Sequence, residues 1–269
     1  MSGPRTLAVG ALAAASAAGA YRLLTARVTS SRWVRTNHAG DPVTLLEGPA
    51  YVAGAALGAA AAGPAGVVAA LGAGAFGALD DLAGDAGSKG LRGHLGAARE
   101  GRVTTGLVKV AGIGATGLVA AALADRGRPE LRALDTLAGG AVVAAAANMA
   151  NLLDLRPGRA LKATVLTAAP ILLGAGRPGS LHAAAATGAA MGVLRPDLAG
   201  TAMLGDTGAN AAGALVGTAL LSGTGRRGRL LALVALTALT VASEKVSFTR
   251  VIEATPGLRE LDAWGRPAR

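Results

Sequence analysis

Two adjacent aspartates, Asp80 and Asp81, close a stretch of 32 residues, Gly48 to Leu79, that holds no charge at all. Neighbouring carboxylates repel one another unless they share a cation or a proton. Asp85 follows one turn later, and Lys89, Arg92, Arg99, Arg102 and Lys109 come after it. Paired acids followed by cations suit a metal ion and phosphate oxygens together. A second stretch, AANMANLLDLRPGRALK, spaces Asn148, Asn151 and Asp154 three apart and then adds Arg156, Arg159 and Lys162. On a helix the three polar residues share a stripe. In a third stretch, AMLGDTGANAAGALVG, Asp206 sits between Gly205 and Thr207-Gly208, where the backbone is open to close approach by a phosphate or a metal.

Magnesium takes hard oxygen ligands, usually one or two carboxylates completed by substrate phosphates and water. An Asp pair, an Asn/Asp stripe and a Gly-flanked Asp make up that inventory. In phosphoryl transfer, positioning and charge neutralisation supply most of the catalysis. Each stretch also has a plain structural reading. Asn148, Asn151 and Asp154 suit interhelical hydrogen bonds and a helix end. The cations suit membrane-edge anchoring, Asp206 or Thr207 a helix cap, and His94 an ordinary loop.

The elements that hold these residues are written in the composition. Of 269 residues, 52% are hydrophobic and 41 are glycine, the mean hydropathy is +0.47, and only 16% are charged. Soluble domains carry roughly 25% charged residues. Uncharged runs cover residues 6–21, 48–79, 110–124, 136–153, 163–176, 178–194, 207–225 and 230–243. A soluble Ala-rich bundle would show polar faces at 3.6-residue spacing, whereas these runs are apolar all round. Gly63-Pro64 divides the longest into two. The expectation is a single all-α domain over 1–269, a polytopic integral membrane bundle of about nine spans, its helices close-packed through small residues. Residues 6–20 suggest a signal peptide at first sight, but eight further spans make a retained first helix the better reading. With no cysteine, disulfides, thiol nucleophiles and zinc-thiolate sites are excluded. The net charge of +10 does not point to nucleic acid, because aromatics are only 2% and the arginines are scattered over short loops.

Nine spans place the connecting segments alternately on two sides. One side receives 17 Lys and Arg and the other eight, with Arg22 left uncounted. The positive-inside rule then puts the N-terminus outside and the C-terminus in the cytoplasm. Asp80, Asp81, Asp85, Asp154 and Asp206 all fall at cytoplasmic helix ends and read as one site.

The motifs DDLAGD, NMANLLDLRPGRALK and MLGDTGAN, in this order, resemble the polyprenyl-phosphate sugar-1-phosphate transferases, which include phospho-MurNAc-pentapeptide transferase and the UDP-GlcNAc–undecaprenyl-phosphate transferases. NHAGDPVTLLEGP, residues 37–49, resembles the family's segment between its first two spans, and the likeness extends to about Gly217. The resemblance implies Mg²⁺-dependent transfer of a sugar phosphate from a UDP-sugar to a polyprenyl phosphate at the inner face of a bacterial cytoplasmic membrane, with release of UMP, in cell-envelope polymer synthesis. It implies catalytic roles for Asp80, Asp81 and Asp154, a metal-ligand role for Asp206, and substrate contacts at Asn151 and Asn148. Lys89 and Lys162 are additional candidates for phosphate contacts. The expected partners are membrane lipids, polyprenyl phosphate and a UDP-sugar, with a homodimer left open. The family usually has ten spans and a His-containing loop before the last; here residues 244–269 form a cytoplasmic tail without histidine, and His38, His94 and His182 lie elsewhere.

Three other readings compete. A non-catalytic homologue would bind polyprenyl phosphate or scaffold envelope assembly. An intramembrane prenyltransferase needs two Asp-x-x-x-Asp clusters, of which only Asp81 to Asp85 is present. A transporter would place its charges near the bilayer midplane at broken helices, not at one face.

Overall fold

The apolar runs become helices because a backbone held among apolar groups must satisfy its N–H and C=O groups within the segment. A computed structural model of the chain describes residues 2–37, 40–83, 104–174 and 177–267. Among these residues nine helices have fourteen or more residues: α1 (Ser2–Arg27), α2 (Glu47–Ala60), α3 (Pro64–Ala83), α4 (Thr105–Ala124), α5 (Ala133–Leu153), α6 (Arg159–Leu173), α7 (Ser180–Leu198), α8 (Gly205–Ser222) and α9 (Arg226–Ser243). Two short helices follow, α10 (Phe248–Ala254) and α11 (Leu258–Ala263). Local signals set the boundaries. Pro64 occupies the first position of α3, where its missing N–H costs nothing. The Thr104 side chain accepts the Leu107 N–H to cap α4, and Asp135 accepts the Arg132 N–H at the start of α5.

Four helices are long and apolar enough to cross a membrane, α1, α3, α4 and α5, and α9 with α10 passes only as a pair bent by 94°. Helix α2, with 14 residues, and α6, with 15, reach only about 21–23 Å, short of a hydrocarbon core of about 30 Å. The chain is thus a mostly helical protein with several helices of membrane-spanning length.

The layout centres on α8. It packs against each of α2 to α7, and nearly all its residues from Gly205 to Leu221 are buried. Helices α1, α2 and α7 form one flank, and α3, α4 and α5 the other. Helix α9 leans on α5 with most of its length exposed. Small residues allow this crowding. A Cβ on Gly77 would collide with the Asp206 carbonyl, so only glycine lets α3 lie directly on the start of α8.

The link from α1 to α2 departs from the helical expectation. Strands β1 (Val34–Thr36) and β2 (Pro42–Thr44) form an antiparallel hairpin with Arg35 opposite Val43. At its turn the Asn37 side chain accepts the Asp41 N–H at 2.9 Å. The hairpin docks on the α7–α8 connection, where Thr44 accepts the Met203 N–H at 3.0 Å.

Candidate active site at the acid-rich end

The C-terminal turn of α3 carries Asp80 and Asp81, and their side chains go separate ways. Asp81 Oδ1 accepts the Asp206 N–H at 3.1 Å, and Oδ2 accepts the Thr207 N–H at 2.8 Å and the Thr207 hydroxyl at 2.6 Å. A carboxylate from α3 therefore caps α8, where free N–H groups and the helix dipole favour an anion. Gly205, at φ +59°, sets the entry to α8 in the left-handed region, and a Cβ there would sit 3.0 Å from Asp81 Oδ2. Arg35 of the hairpin donates to the Asp81 carbonyl.

Asp80 turns instead toward Lys109 at the start of α4, 2.7 Å away, and the same ammonium also pairs with Asp206. Two carboxylates, from α3 and α8, thus share one cation. Asp154, the C-cap of α5, is buried, and its Oδ2 has no hydrogen-bond partner. Burial, then the charges of Asp197 and Asp206, push its carboxyl well above the usual carboxylate range.

Two acids that the sequence analysis did not single out extend the group. Asp197, near the end of α7, is 1% exposed; its Oδ1 accepts the Gly158 N–H at 3.0 Å, and its side chain also meets the Glu47 carboxyl. Glu47, at the start of α2, is fully buried, and its carboxyl meets that of Asp197, with no other group donating to either of its oxygens. The only sequence signal for Glu47 was its place in the NHAGDPVTLLEGP stretch. Asp197, in LRPDLAG, reads as an ordinary loop acid.

Asp154 and Asp197 line a cavity of about 440 Å³ that also takes in Asn37, Arg156, Met203 and Arg266. The remaining sequence candidates divide. Asn151 is half-buried on the last turn of α5, close to Asp154. Asn148 is exposed and donates to Thr240 of α9 at 3.3 Å, which makes it a tie between helices and not part of the acid group. Lys162 donates to the carbonyls of Leu261, Asp262 and Trp264, the C-terminal end of α11. Its charge therefore holds the tail segment in place and is not directed at the cavity. Lys89, with Asp85 and His94, lies outside the described residues. His182 is at the other end of the bundle, beside Gly63 and Arg128.

The donor set can be tested against Mg²⁺. Among the described residues no three His, Cys, Asp or Glu side chains stand close enough to hold a metal by themselves. Asp80 and Asp206 meet at a single cation, and Asp154 keeps a free oxygen nearby. That set fits an ion that takes one or two carboxylates and completes its shell with water and substrate phosphates. No family model matches the sequence, and no curated protein is similar to it.

Proposed function

We propose that the acid-rich end is the cytoplasmic site of a Mg²⁺-dependent phosphoglycosyl transferase in a bacterial cytoplasmic membrane, built on nine spans with the N-terminus outside. The observation that carries this reading is the meeting of Asp80 and Asp206, from helices α3 and α8, at one cation within reach of the charge of Asp154. In the transfer, an oxygen of the polyprenyl phosphate attacks the β-phosphorus of a UDP-sugar. The bond from that phosphorus to the oxygen bridging it to the α-phosphate breaks, and UMP leaves. Mg²⁺ would neutralise the phosphate oxygens as charge shifts among them. Asp80 and Asp206 would hold it, Asp154 would hold a proton or face the ion, and Asp81 keeps α8 in register so that Asp206 stays in place. The α2, α6, α7 and α8 helices, too short or too polar to pass as spans individually, would be sheltered from lipid by their neighbours.

A second reading is favoured by one observation: Lys109 already neutralises Asp80 and Asp206. An ammonium in that position suits a protein that binds polyprenyl phosphate without turnover. The two readings separate on one assay. Purified protein, given undecaprenyl phosphate, Mg²⁺ and a panel of UDP-sugars, is expected to release UMP from one donor and to stop on addition of EDTA. Lipid-phosphate binding with no UMP from any donor would select the non-catalytic reading.

A further inference from the structure

Where α4 ends and α5 and α9 begin, opposite the acid-rich end, three helices meet at one carboxylate. Asp125 closes α4, accepts the Thr136 hydroxyl of α5 at 2.7 Å and takes the guanidinium of Arg229 from α9. Arg229 also donates to the Asp135 carbonyl at 3.0 Å. Helices α5 and α9 are locked side by side here, and the hydrogen bond from Asn148 to Thr240 continues their seam toward the other end.

The cations at this junction outnumber the acids. Residues 125–135 and 226–229 hold six arginines and three acids. Each acid is taken: Asp125 by Arg229, Glu130 by Arg128 at 3.0 Å, and Asp135 by Arg226 at 3.6 Å. Arg126, Arg132 and Arg227 remain, all exposed and with no ion pair among the described residues. They converge on one place, because the Asp135 carboxylate that lies beside Arg226, the neighbour of Arg227, also accepts the Arg132 N–H at 3.0 Å. Their positions serve neither helix nor topology. Arg132 precedes α5 and Arg227 stands in the first turn of α9, where the helix dipole disfavours a cation. On the nine-span topology this is the outer end, which the positive-inside rule leaves poor in cations.

The apolar surface beside them is equally uncovered. Leu134 of α5 is 74% exposed and Leu231 of α9 is 72% exposed, each within four residues of an unpaired arginine. Leu137 and Val234 continue the bare strip one turn along each helix. A lipid with a negative headgroup covers both features, its phosphate on the cations and its chains on the leucines. A free phosphate would leave the leucines bare. A zwitterionic headgroup would bring its own ammonium to a place already in excess by three positive charges. Guanidiniums offer phosphate oxygens paired donors in a fixed fork, and basic clefts between spanning helices favour anionic headgroups.

We propose that the α5–α9 seam, at the end away from the acids, binds an anionic phospholipid, with Arg132, Arg227 and Arg126 around its headgroup phosphate and Leu134 and Leu231 against its chains. This inference rests on the placement of α5 and α9 in a membrane and not on the transferase chemistry, so a protein that releases no UMP would still bind the lipid.

The test titrates the full-length protein in nonionic detergent with phosphatidylglycerol or with phosphatidylcholine of the same chains, and reads retained lipid by native mass spectrometry. Phosphatidylglycerol should bind the more tightly. Arg132→Gln combined with Arg227→Gln should weaken it roughly 25-fold, about fivefold for each cation lost near a headgroup, while phosphatidylcholine binding and the lipid-free unfolding midpoint stay as in wild type. Arg250→Gln combined with Arg259→Gln, at exposed cations of α10 and α11, should change nothing. Equal affinity for the two lipids, or a preference that survives the loss of Arg132 and Arg227, would overturn the proposal. So would an equal loss from the Arg250 and Arg259 changes, which would mean attraction by net charge alone. Displacement of the lipid by inorganic phosphate would overturn it too, since the site would then take free anions. If the first double variant fails to fold, Arg126→Gln decides: a fivefold loss of phosphatidylglycerol affinity supports the site, and no loss overturns it.

Discussion

At the end of the bundle away from the acids, every described carboxylate faces a cation. Asp125 receives both terminal nitrogens of Arg229, a side chain with no exposure at all, and the Thr136 hydroxyl at 2.7 Å. Glu130 pairs with Arg128, which also caps the carbonyls of Leu221, Ser222 and Thr224 at the end of α8. Asp135 lies 3.6 Å from Arg226. At the acid-rich end the balance is different. Glu47, Asp154 and Asp197 are buried, yet among the described residues none of them is ion-paired with a cation, and Asp154 Oδ2 has no partner. An unsatisfied buried polar group costs about 1–3 kcal/mol, more if charged. One end of α8 is therefore clamped by paired charges, whereas the other also holds buried carboxyls with no cation paired to them. That is the distribution expected where a ligand supplies the missing partners.

The contrast can be broken most forcefully at the clamped end. Asp125→Ala leaves the Arg229 guanidinium buried without its carboxylate, and removing one partner of a buried pair typically costs about 3–5 kcal/mol. Unfolding in detergent should show a loss of that order. A wild-type stability would mean that this end is not a structural clamp. At the acid-rich end, Asp206→Asn should do the opposite. Turnover should fall on the order of 10²–10³-fold, as for loss of one preorganised electrostatic group, while the unfolding midpoint stays near that of wild type. Full turnover in this variant would take Asp206 out of the metal role.

A smaller and more local effect is expected from pH. Burial tends to raise the Asp262 carboxyl, but the Arg159 hydrogen bonds and the Arg159 and Arg266 charges outweigh it and hold it below the ordinary value of 3.8. A depressed carboxylate contributes stability that is complete above its unfolded pKa and lost as pH falls through the folded one. The 248–264 segment should thus stay protected from hydrogen exchange at pH 5 to 7 and open only below about 3.8. Opening between pH 5 and 7 would show that Asp262 does not anchor it. The smallest effect is expected from Asn148→Ala, which removes one exposed interhelical hydrogen bond. Stability should change by about 1 kcal/mol or less and UMP release not at all. A fall in UMP release would return Asn148 to the site.

Much of this organisation could be read from residue order. Apolar runs marked all nine long helices of the described residues, and the Gly63-Pro64 break separated α2 from α3 where the structure turns. Asp80, Asp154 and Asp206 were recognisable because a carboxylate beside an apolar run needs a partner. The hairpin over 34–44 was not, since its strands are three residues each and its turn is tied by Asn37. The Asn148–Asn151–Asp154 stripe spans an arc of about 120°, wide enough for its two ends to face different neighbours. Lys109 read as one of the run of cations after the Asp pair, and Lys162 as a phosphate-contacting cation. One instead bridges two acids and the other caps a helix more than ninety residues downstream.

The sequence by itself determined where helices form and which groups are costly to leave in apolar surroundings, because both follow from the residues within a single segment. The tertiary structure alone decided which partners those groups meet. Asp81 became a helix cap, Glu47 and Asp197 joined Asp154, and Arg266 reached the cavity, because α8 is packed on all sides and brings its neighbours' ends together. Charges so far apart in sequence leave no local pattern. Their energies depend on distance and burial, and both are set only when the helices pack.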